Sequence, residues 1–338
     1  MKIAYLILYT EKNYEEITEN LDKILDAGDD AYVMINNDDL RDEVFLAYAD
    51  EPRLNVSTVQ SAALPADLSM PRGYICQIED ALKFEEDNEF EYDYFITLSD
   101  GMLPLVHKEQ MDQFLESLDH KDLYYVQSNT DIDEDLKHRI ENYAFFTNSY
   151  DFQKSKMIRG MNNMTAGIVK KFKKRAIEDT VYLTYPWFIL THESALALAD
   201  HKVYCSSNFS MCLYPEELCF GTMLKKYSTV EHINKDIWLV GESNSYQFMQ
   251  PVKELTLEEV FENKDKLFGA KIHSSRNLDV YQETFDLYWP IIEEDMKEDE
   301  MEEKFYSIFF LVRLFSGSPL SLCSIVVQSV SSSCSVWE

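Results

Sequence analysis

The sequence predicts an α/β protein in which helices flank a mainly parallel sheet. Segments with strand and helix patterns alternate through the first half of the chain, which is the signature of βαβ units. The run at residues 92–98 has the aromatic and β-branched content of a central strand. With 338 residues and 46% hydrophobic content, the chain can bury one large core or two modest ones.

The first βαβ unit is predicted within the first 35 residues. Apolar strand patterns occupy residues 2–8 and 31–35. Between them, five apolar positions at helical spacing keep to one helix face: Tyr14, Ile17, Leu21, Ile24 and Leu25. Because the strand pattern begins at residue 2, without a charged segment or a long apolar segment before it, we expect no N-terminal membrane anchor and a cytoplasmic location.

The next strands lead to a candidate ligand site. A short strand at residues 54–59 is followed by a helix that carries Ile75, Ile78 and Leu82, and then by the strand at 92–98. That strand stops at Ser99-Asp100-Gly101, a turn signal. Ligands gather at the carboxyl ends of strands in open α/β sheets, so Asp100 is a candidate site residue, although an Asp before Gly is equally typical of a plain turn.

A helix at residues 107–118 and a strand at 123–126 are predicted to precede an acidic run at 131–135. Asp131 and Asp133 form a D-x-D triplet, which can hold a divalent cation against a nucleotide diphosphate. The triplet runs into further acids and a helix-like segment, which is also typical of a solvated first helical turn. Both interpretations stay open from the residues alone.

The chain is strongly acidic overall, but one segment is basic. Acidic residues outnumber basic ones 61 to 31, and the net charge of -30 argues against nucleic acid or an anionic membrane face as a partner. The segment at 157–175 differs, because it ends in a cluster of basic residues: Lys170, Lys171, Lys173, Lys174 and Arg175. This cluster either faces a phosphate-bearing donor or acceptor, or is the polar face of a surface helix.

The cysteines carry no metal-binding pattern. Cys205, Cys212 and Cys219 follow one another at seven-residue intervals, with no C-x-x-C pair among the six cysteines. We expect reduced, buried thiols, with a bridge between two of these three as the alternative.

The window at residues 213–226 is the most informative for chemistry. Pro215, Glu216 and Glu217 suit the positive end of a helix dipole, and Lys225 and Lys226 suit the other end, which predicts a well-capped helix. The positions three, four and seven residues after Glu217 are Phe, Gly and Leu, so this carboxylate shares a face with residues expected to point inward. An acid in that position is either a cap or a catalytic group.

Five segments together carry a family resemblance. They are the strand at residues 3–8, the turn at 98–105, the run Thr184-Tyr185-Pro186-Trp187-Phe188-Ile189-Leu190-Thr191, the run Pro215-Glu216-Glu217-Leu218-Cys219-Phe220-Gly221-Thr222 and the segment 267–272. In order and rough spacing they resemble the A-Y-L-I-L, Y-F-I-x-L-S-G-x-D-x-P-L, G-S-Q-W-F-x-L-T, P-D-E-x-F-F-x-T and F-A-R-K-F motifs of the core-2/I-branching N-acetylglucosaminyltransferase family. This is glycosyltransferase family 14, which also contains protein xylosyltransferases. The resemblance covers about residues 2–275.

The resemblance implies a Rossmann-like fold of the GT-A type and an enzyme that transfers a sugar from a UDP-sugar to a hydroxyl of a glycan or protein. The sugar is expected to be N-acetylglucosamine or xylose, transferred with inversion and without a metal or cofactor. The family's catalytic base falls on Glu217, and the lysine that neutralises the departing diphosphate falls on Lys271. The donor site implied in this way consists of Thr10, Asn36, Asp100, Trp187 and Lys271. These roles suit the chemistry, because the attacking hydroxyl must lose a proton and the leaving UDP gathers negative charge.

The same comparison divides the chain. A nucleotide-binding half is expected at about residues 1–130, an acceptor and catalytic half at 131–280 and a C-terminal helix at 281–304. Residues 305–338 form an atypical Ser-rich hydrophobic tail, which Arg313 and the run at 316–319 make a poor transmembrane helix.

Two alternatives remain. Thr10 stands where the family commonly has His, and Asn36 lies near the position of a family Asp. These departures favour a noncatalytic protein of the same fold that binds a nucleotide, a glycan or a protein partner. A metal-dependent transferase that uses Asp100 or the Asp131 and Asp133 pair is the other alternative.

Overall fold

The structure, a computed structural model, describes residues 1–10, 13–59, 64, 66–99, 101–148, 152, 155–240, 257–263, 265–269 and 282. The chain divides after Tyr281 into two units, and every described residue except Gln282 belongs to the first. The boundary predicted near residue 304 and the tail predicted at 305–338 therefore lie outside the described residues.

Strands and helices alternate as the sequence predicts. The strands are β1 (Ile3–Tyr9), β2 (Asp30–Ile35), β3 (Leu54–Val56), β4 (Tyr94–Ser99), β5 (Leu103–Pro104), β6 (Asp122–Asn129), β7 (Tyr182–Leu190), β8 (His232–Ile233), β9 (Trp238–Leu239) and β10 (Phe268–Gly269). The helices are α1 (Tyr14–Asp26), α2 (Asp38–Ala47), α3 (Ser69–Asn88), α4 (Lys108–Ser117), α5 (Glu134–Glu141), α6 (Lys156–Val169), α7 (His192–Asp200), α8 (Lys202–Phe209), α9 (Cys219–Tyr227) and α10 (Leu257–Glu262). Within these described ranges, no helix is both long enough and apolar enough to cross a membrane.

Short polar side chains fix where several helices begin. Each accepts a hydrogen bond from a main-chain N–H in the first turn, which satisfies a donor that the helix itself leaves unpaired. The caps are Asn13, Asn37, Asp133, Ser155 and Thr191.

The main sheet has seven strands in the order β3-β2-β1-β4-β7-β6-β8. The strands β3, β2, β1 and β4 run parallel to one another, β7 is antiparallel to both β4 and β6, and β8 is parallel to β6. A second sheet joins β5, β10 and β9. The predicted α/β class with a mainly parallel sheet and flanking helices is therefore confirmed.

One face of the sheet is covered by α3 together with α7, α8 and α9. Ala4, Leu6 and Leu8 of β1 belong to the buried cluster on this face, as expected when alternate strand residues point the same way. Gly73 of α3 lies directly over the end of the sheet, because a Cβ at this position would stand 3.1 Å from both Leu8 and Met34. The first half of α3 is thus pressed against the carboxyl ends of β1 and β2.

Helix α9 approaches β7 just as closely. A Cβ built on Gly221 would lie 2.2 Å from Cγ2 of Thr184, which is buried in β7. Thr184 Oγ1 also donates a hydrogen bond to the main-chain oxygen of Glu217 at 3.3 Å. Gly221 is therefore required by the packing of helix against strand, and this packing holds the segment before α9 against the sheet.

We expect Gly221→Ala to lower the free energy of unfolding by about 1–3 kcal/mol, because the added methyl overpacks a buried contact. In a Thr184→Ser background, which lacks Cγ2, Gly221→Ala should lower the free energy of unfolding by less. Gly160→Ala in α6 is the matched control, because a Cβ there meets no atom within 4 Å. Denaturant unfolding of the four variants checks this expectation, and equal effects of Gly221→Ala and Gly160→Ala would contradict it.

The structure corrects the prediction that the thiols are reduced. Cys205 of α8 and Cys219 of α9 are joined by a disulfide with a Cα–Cα distance of 5.7 Å, whereas Cys76 and Cys212 are free. Helices α8 and α9 pack side by side, so two cysteines 14 residues apart come within bridging distance. Sequence spacing alone does not reveal that contact.

Candidate functional site

Two predicted donor-site residues come together at the carboxyl edge of the sheet. Thr10 follows β1 directly and Asn36 follows β2, and the two strands are in register up to Tyr9 and Ile35. The main-chain N–H of Asn36 donates to the carbonyl of Tyr9 at 2.9 Å. Both residues are half-buried, so their side chains are only partly accessible at this edge.

Trp187 lies beside the end of β4. Its ring is buried, and Nε1 donates to Oγ of Ser99, the last residue of β4, at 3.1 Å. The carbonyl of Pro186 accepts a hydrogen bond from Thr97 Oγ1, which holds the antiparallel strand β7 against β4 at this level. Trp187 is thus next to the predicted donor turn, whereas Asp100 lies outside the described residues.

Lys271 also lies outside the described residues. The strand that precedes it, β10, pairs with β5 through Phe268 opposite Pro104 and Gly269 opposite Leu103. Strand β10 therefore lies beside β5, which follows β4 in the chain.

The segment around Glu217 differs from the predicted helix. Pro215–Glu217 form a single 3₁₀ turn, and the α-helix begins only at Cys219. Tyr214 adopts a left-handed conformation with φ 53°, and Leu218 departs from helical geometry with φ -119°. The two acids therefore occupy a separate turn in front of α9 and not the first turn of the α-helix.

Glu217 is completely buried and forms an ion pair. Its Oε2 lies 2.7 Å from Nη2 of Arg139, whose side chain is 9% exposed. Burial alone would lower the pKa of Arg139, but the neighbouring Glu217 carboxylate raises it above its usual value. The pair therefore places a positive charge and a negative charge inside the protein. It lies close in space to the start of β7.

Arg139 also holds the chain that leads to Glu217. Its Nε and Nη2 donate to the carbonyl of Leu213 at 3.1 and 2.9 Å, and Nη2 donates to the carbonyl of Tyr214 at 2.9 Å. The guanidinium lies 5.2 Å from the centre of the Tyr214 ring. Arg139 thus donates to two consecutive main-chain carbonyls at the left-handed residue Tyr214, in addition to the hydrogen bond that the Tyr214 carbonyl accepts from the main-chain N–H of Glu217 at 3.2 Å.

Glu216 connects this turn to the loop before α3. Its Oε1 accepts a hydrogen bond from the main-chain N–H of Ala66 at 2.8 Å, and the side chain is fully buried. Burial, and then the charge of Glu217, raise the pKa of Glu216 to about 8. Glu216 is therefore mostly protonated at pH 7.

Helix α3 links the two groups of predicted residues. Its first half packs on the ends of β1 and β2 through Gly73, next to Thr10 and Asn36. The loop in front of the same helix is bound to Glu216 through Ala66. The described part of the candidate site is consequently one connected structure at the carboxyl edge of the sheet.

The acidic triplet has ordinary structural contacts. Asp133 is the N-cap of α5 and accepts from the main-chain N–H of Leu136 at 2.9 Å. Asp131 accepts from the hydroxyl of Thr180 at 3.0 Å. Within the described ranges, no group of three or more His, Cys, Asp or Glu side chains is arranged to hold a metal ion.

A groove of ≈ 480 Å³ lies elsewhere on the molecule. Glu85 and His192 line it together with residues of the second half of α3 and of α7, and the His192 Nδ1 to Glu85 Oε2 distance is 3.0 Å. Of the predicted site residues that the structure describes, none of Thr10, Asn36, Trp187 and Glu217 lines this groove. The groove lies near the amino end of β4, at the point where β7 ends and α7 begins. It is separate from the described part of the candidate site.

Two residues that contact the turn around Glu217 are not predicted from the sequence. Arg139 stands in a polar segment of α5 whose local pattern is typical of a solvated helix end, and its contact with Glu217 joins positions 78 residues apart. Glu216 was grouped with Glu217 as a helix-dipole residue, and its role in holding Ala66 depends on a contact across 150 residues. No local signal identifies either contact.

No protein-family model matches this chain, and no curated protein matches it.

Proposed function

We propose that this protein is an inverting, metal-independent glycosyltransferase of the GT-A type. It transfers a sugar, N-acetylglucosamine or xylose, from a UDP-sugar to a hydroxyl of a glycan or protein acceptor. Glu217 is the catalytic base, and Lys271 stabilises the diphosphate leaving group.

The observation that carries the proposal is the environment of Glu217. This carboxylate is held in a dry site by Arg139 at 2.7 Å, beside the part of β7 that adjoins the carboxyl end of β4. Ligands of open α/β sheets bind at that edge, and the predicted donor residues Thr10, Asn36 and Trp187 lie along it. A carboxylate held in one orientation by a buried guanidinium is a preorganised charged group of the kind that group-transfer sites use.

The chemistry needs few groups. As the bond between the sugar and UDP breaks, the acceptor hydroxyl attacks the opposite face of the anomeric carbon and loses its proton to Glu217. The electron pair of the broken bond leaves with UDP, whose added negative charge is balanced by a fixed cation. Arg139 acts as a positioning residue, because it fixes the Glu217 carboxylate and both carbonyls in front of the turn.

A second candidate function has one specific observation in its favour. Glu217 has no exposed surface and its carboxylate is paired with Arg139. In a noncatalytic binding protein of the same fold, this pair has only the structural task of holding the turn before α9. A nucleotide would then bind at the sheet edge without reaction.

Measurement of UDP release separates these functions. The chain is incubated with UDP-N-acetylglucosamine, UDP-xylose or UDP-glucose, with and without a chelator. We expect turnover that the chelator does not change, because no step uses a metal. Binding of the UDP-sugar without turnover would support the binding protein, and loss of turnover with the chelator would support the metal-dependent alternative.

A further inference from the structure

Helix α6 exposes a continuous apolar stripe. Met157, Met161, Met164 and Ile168 follow one another at steps of four, three and four residues, which places them on one side of the helix. Their exposed fractions are 70%, 39%, 65% and 56%, and Phe172 in the turn after the helix is 85% exposed. These five are a large share of the exposed large hydrophobic residues in the described part of the chain.

An adjacent side of the same helix is anchored in the protein. Ile158 packs with Ala66 and Phe152, and Asn162 Oδ1 accepts a hydrogen bond from the main-chain N–H of Phe145 at 2.8 Å. A Cβ on Gly160 or Gly167 would meet no described atom within 4 Å, so the outer side is open. The stripe is therefore a convex surface on a fixed helix.

The charge around this stripe is opposite to that of the rest of the protein. The chain has 61 acidic residues, yet residues 152–177 contain none. The same segment contains a set of basic residues: Lys154, Lys156, Arg159, Lys170, Lys171, Lys173, Lys174 and Arg175. Lys170, Lys171 and Lys173 follow the helix directly and are exposed beside Phe172, whereas Lys174 pairs with Glu141 at 2.6 Å and Arg175 is buried.

We propose that the stripe and the lysines after it dock on an anionic lipid bilayer. An amphipathic helix of this kind lies in the plane of the interface, with its apolar side chains among the acyl chains and its lysines at the headgroup phosphates. A second copy of the chain is a poor partner for this stripe. Its own α6 would place a second basic surface against the first, and the two would repel each other. A convex stripe with no groove also suits a deformable bilayer better than a rigid protein.

This inference revises the expectation that the net charge of -30 excludes an anionic membrane face. Charges farther than about 10 Å from the bilayer are screened at physiological ionic strength, so the surface in contact decides the interaction. That surface is basic. The inference does not depend on the proposed glycosyltransferase activity.

Cosedimentation of the full chain with lipid vesicles tests the proposal. We expect binding to vesicles of phosphatidylcholine mixed with phosphatidylserine, weaker binding at higher salt, and little binding to phosphatidylcholine alone. The variant Met164→Glu/Phe172→Glu should lower the partition coefficient at least about tenfold, because two large apolar side chains no longer insert. Lys170→Glu/Lys171→Glu should weaken binding only to the anionic vesicles.

The matched control is Phe45→Glu/Leu46→Glu in α2, where both side chains are also exposed, at 54% and 73%. It adds the same charge to a different surface, and we expect binding to be retained. Equal loss in the α2 and α6 variants would overturn the proposal, since net charge would then explain it. Failure of the unmodified chain to bind either vesicle would also overturn it, as would a dimer that α6 substitution dissociates without any vesicle binding.

Discussion

Arg139→Met is expected to lower the free energy of unfolding by about 3–5 kcal/mol, because it leaves the buried Glu217 carboxylate without its partner. The variant also removes the donors to the carbonyls of Leu213 and Tyr214. Denaturant unfolding followed by circular dichroism measures the loss.

The double variant Arg139→Met/Glu217→Gln separates the ion pair from the carbonyl contacts. It should be more stable than Arg139→Met alone, because the buried charge is gone, yet less stable than the unmodified chain, because the guanidinium hydrogen bonds to both carbonyls are still lost. The control is Arg41→Met, which breaks exposed ion pairs with Asp38 and Asp42 and should leave the unfolding midpoint nearly unchanged. If Arg139→Met behaves like Arg41→Met, the pair does not hold the turn.

Much of the fold follows from local patterns in the sequence. Apolar runs predict β1, β2, β4 and β6, and the helix predicted at residues 107–118 is α4 at Lys108–Ser117. These elements are predictable because the signals that identify them, apolar spacing and capping residues, lie within a few positions of one another in the sequence. The position of β7 between β4 and β6 depends on pairing between distant segments, so no local pattern reveals it.

The candidate site was predictable only in part. The family resemblance assigns Thr10 and Asn36 to the donor site, and the structure places both at one edge because β1 and β2 are adjacent parallel strands that end there. The separate turn that carries Glu217 could not be predicted, because the left-handed Tyr214 and the carboxylate of Glu217 are held by tertiary contacts with Arg139. The segment that local sequence predicts to be one capped helix therefore forms a 3₁₀ turn and a separate α-helix in the folded chain.

Glu217→Gln is expected to reduce the rate of sugar transfer about 10²–10⁴-fold, which is the range for loss of a general base. Glu216→Gln is the matched control, because the pKa of Glu216 near 8 leaves that side chain neutral at pH 7, and glutamine keeps the oxygen that accepts from Ala66. We expect Glu216→Gln to retain most of the transfer rate. Unfolding midpoints measured on the same samples distinguish lost chemistry from lost structure.

The most direct measurement is the rate of UDP release by the unmodified chain and by Glu217→Gln, in the presence of a chelator and at a temperature where both are folded. The account predicts steady turnover in the first and a loss of at least about 10²-fold in the second, with binding of the UDP-sugar preserved. Equal rates of release by the two proteins would contradict the assignment of Glu217 as the catalytic base and leave its pair with Arg139 a purely structural contact.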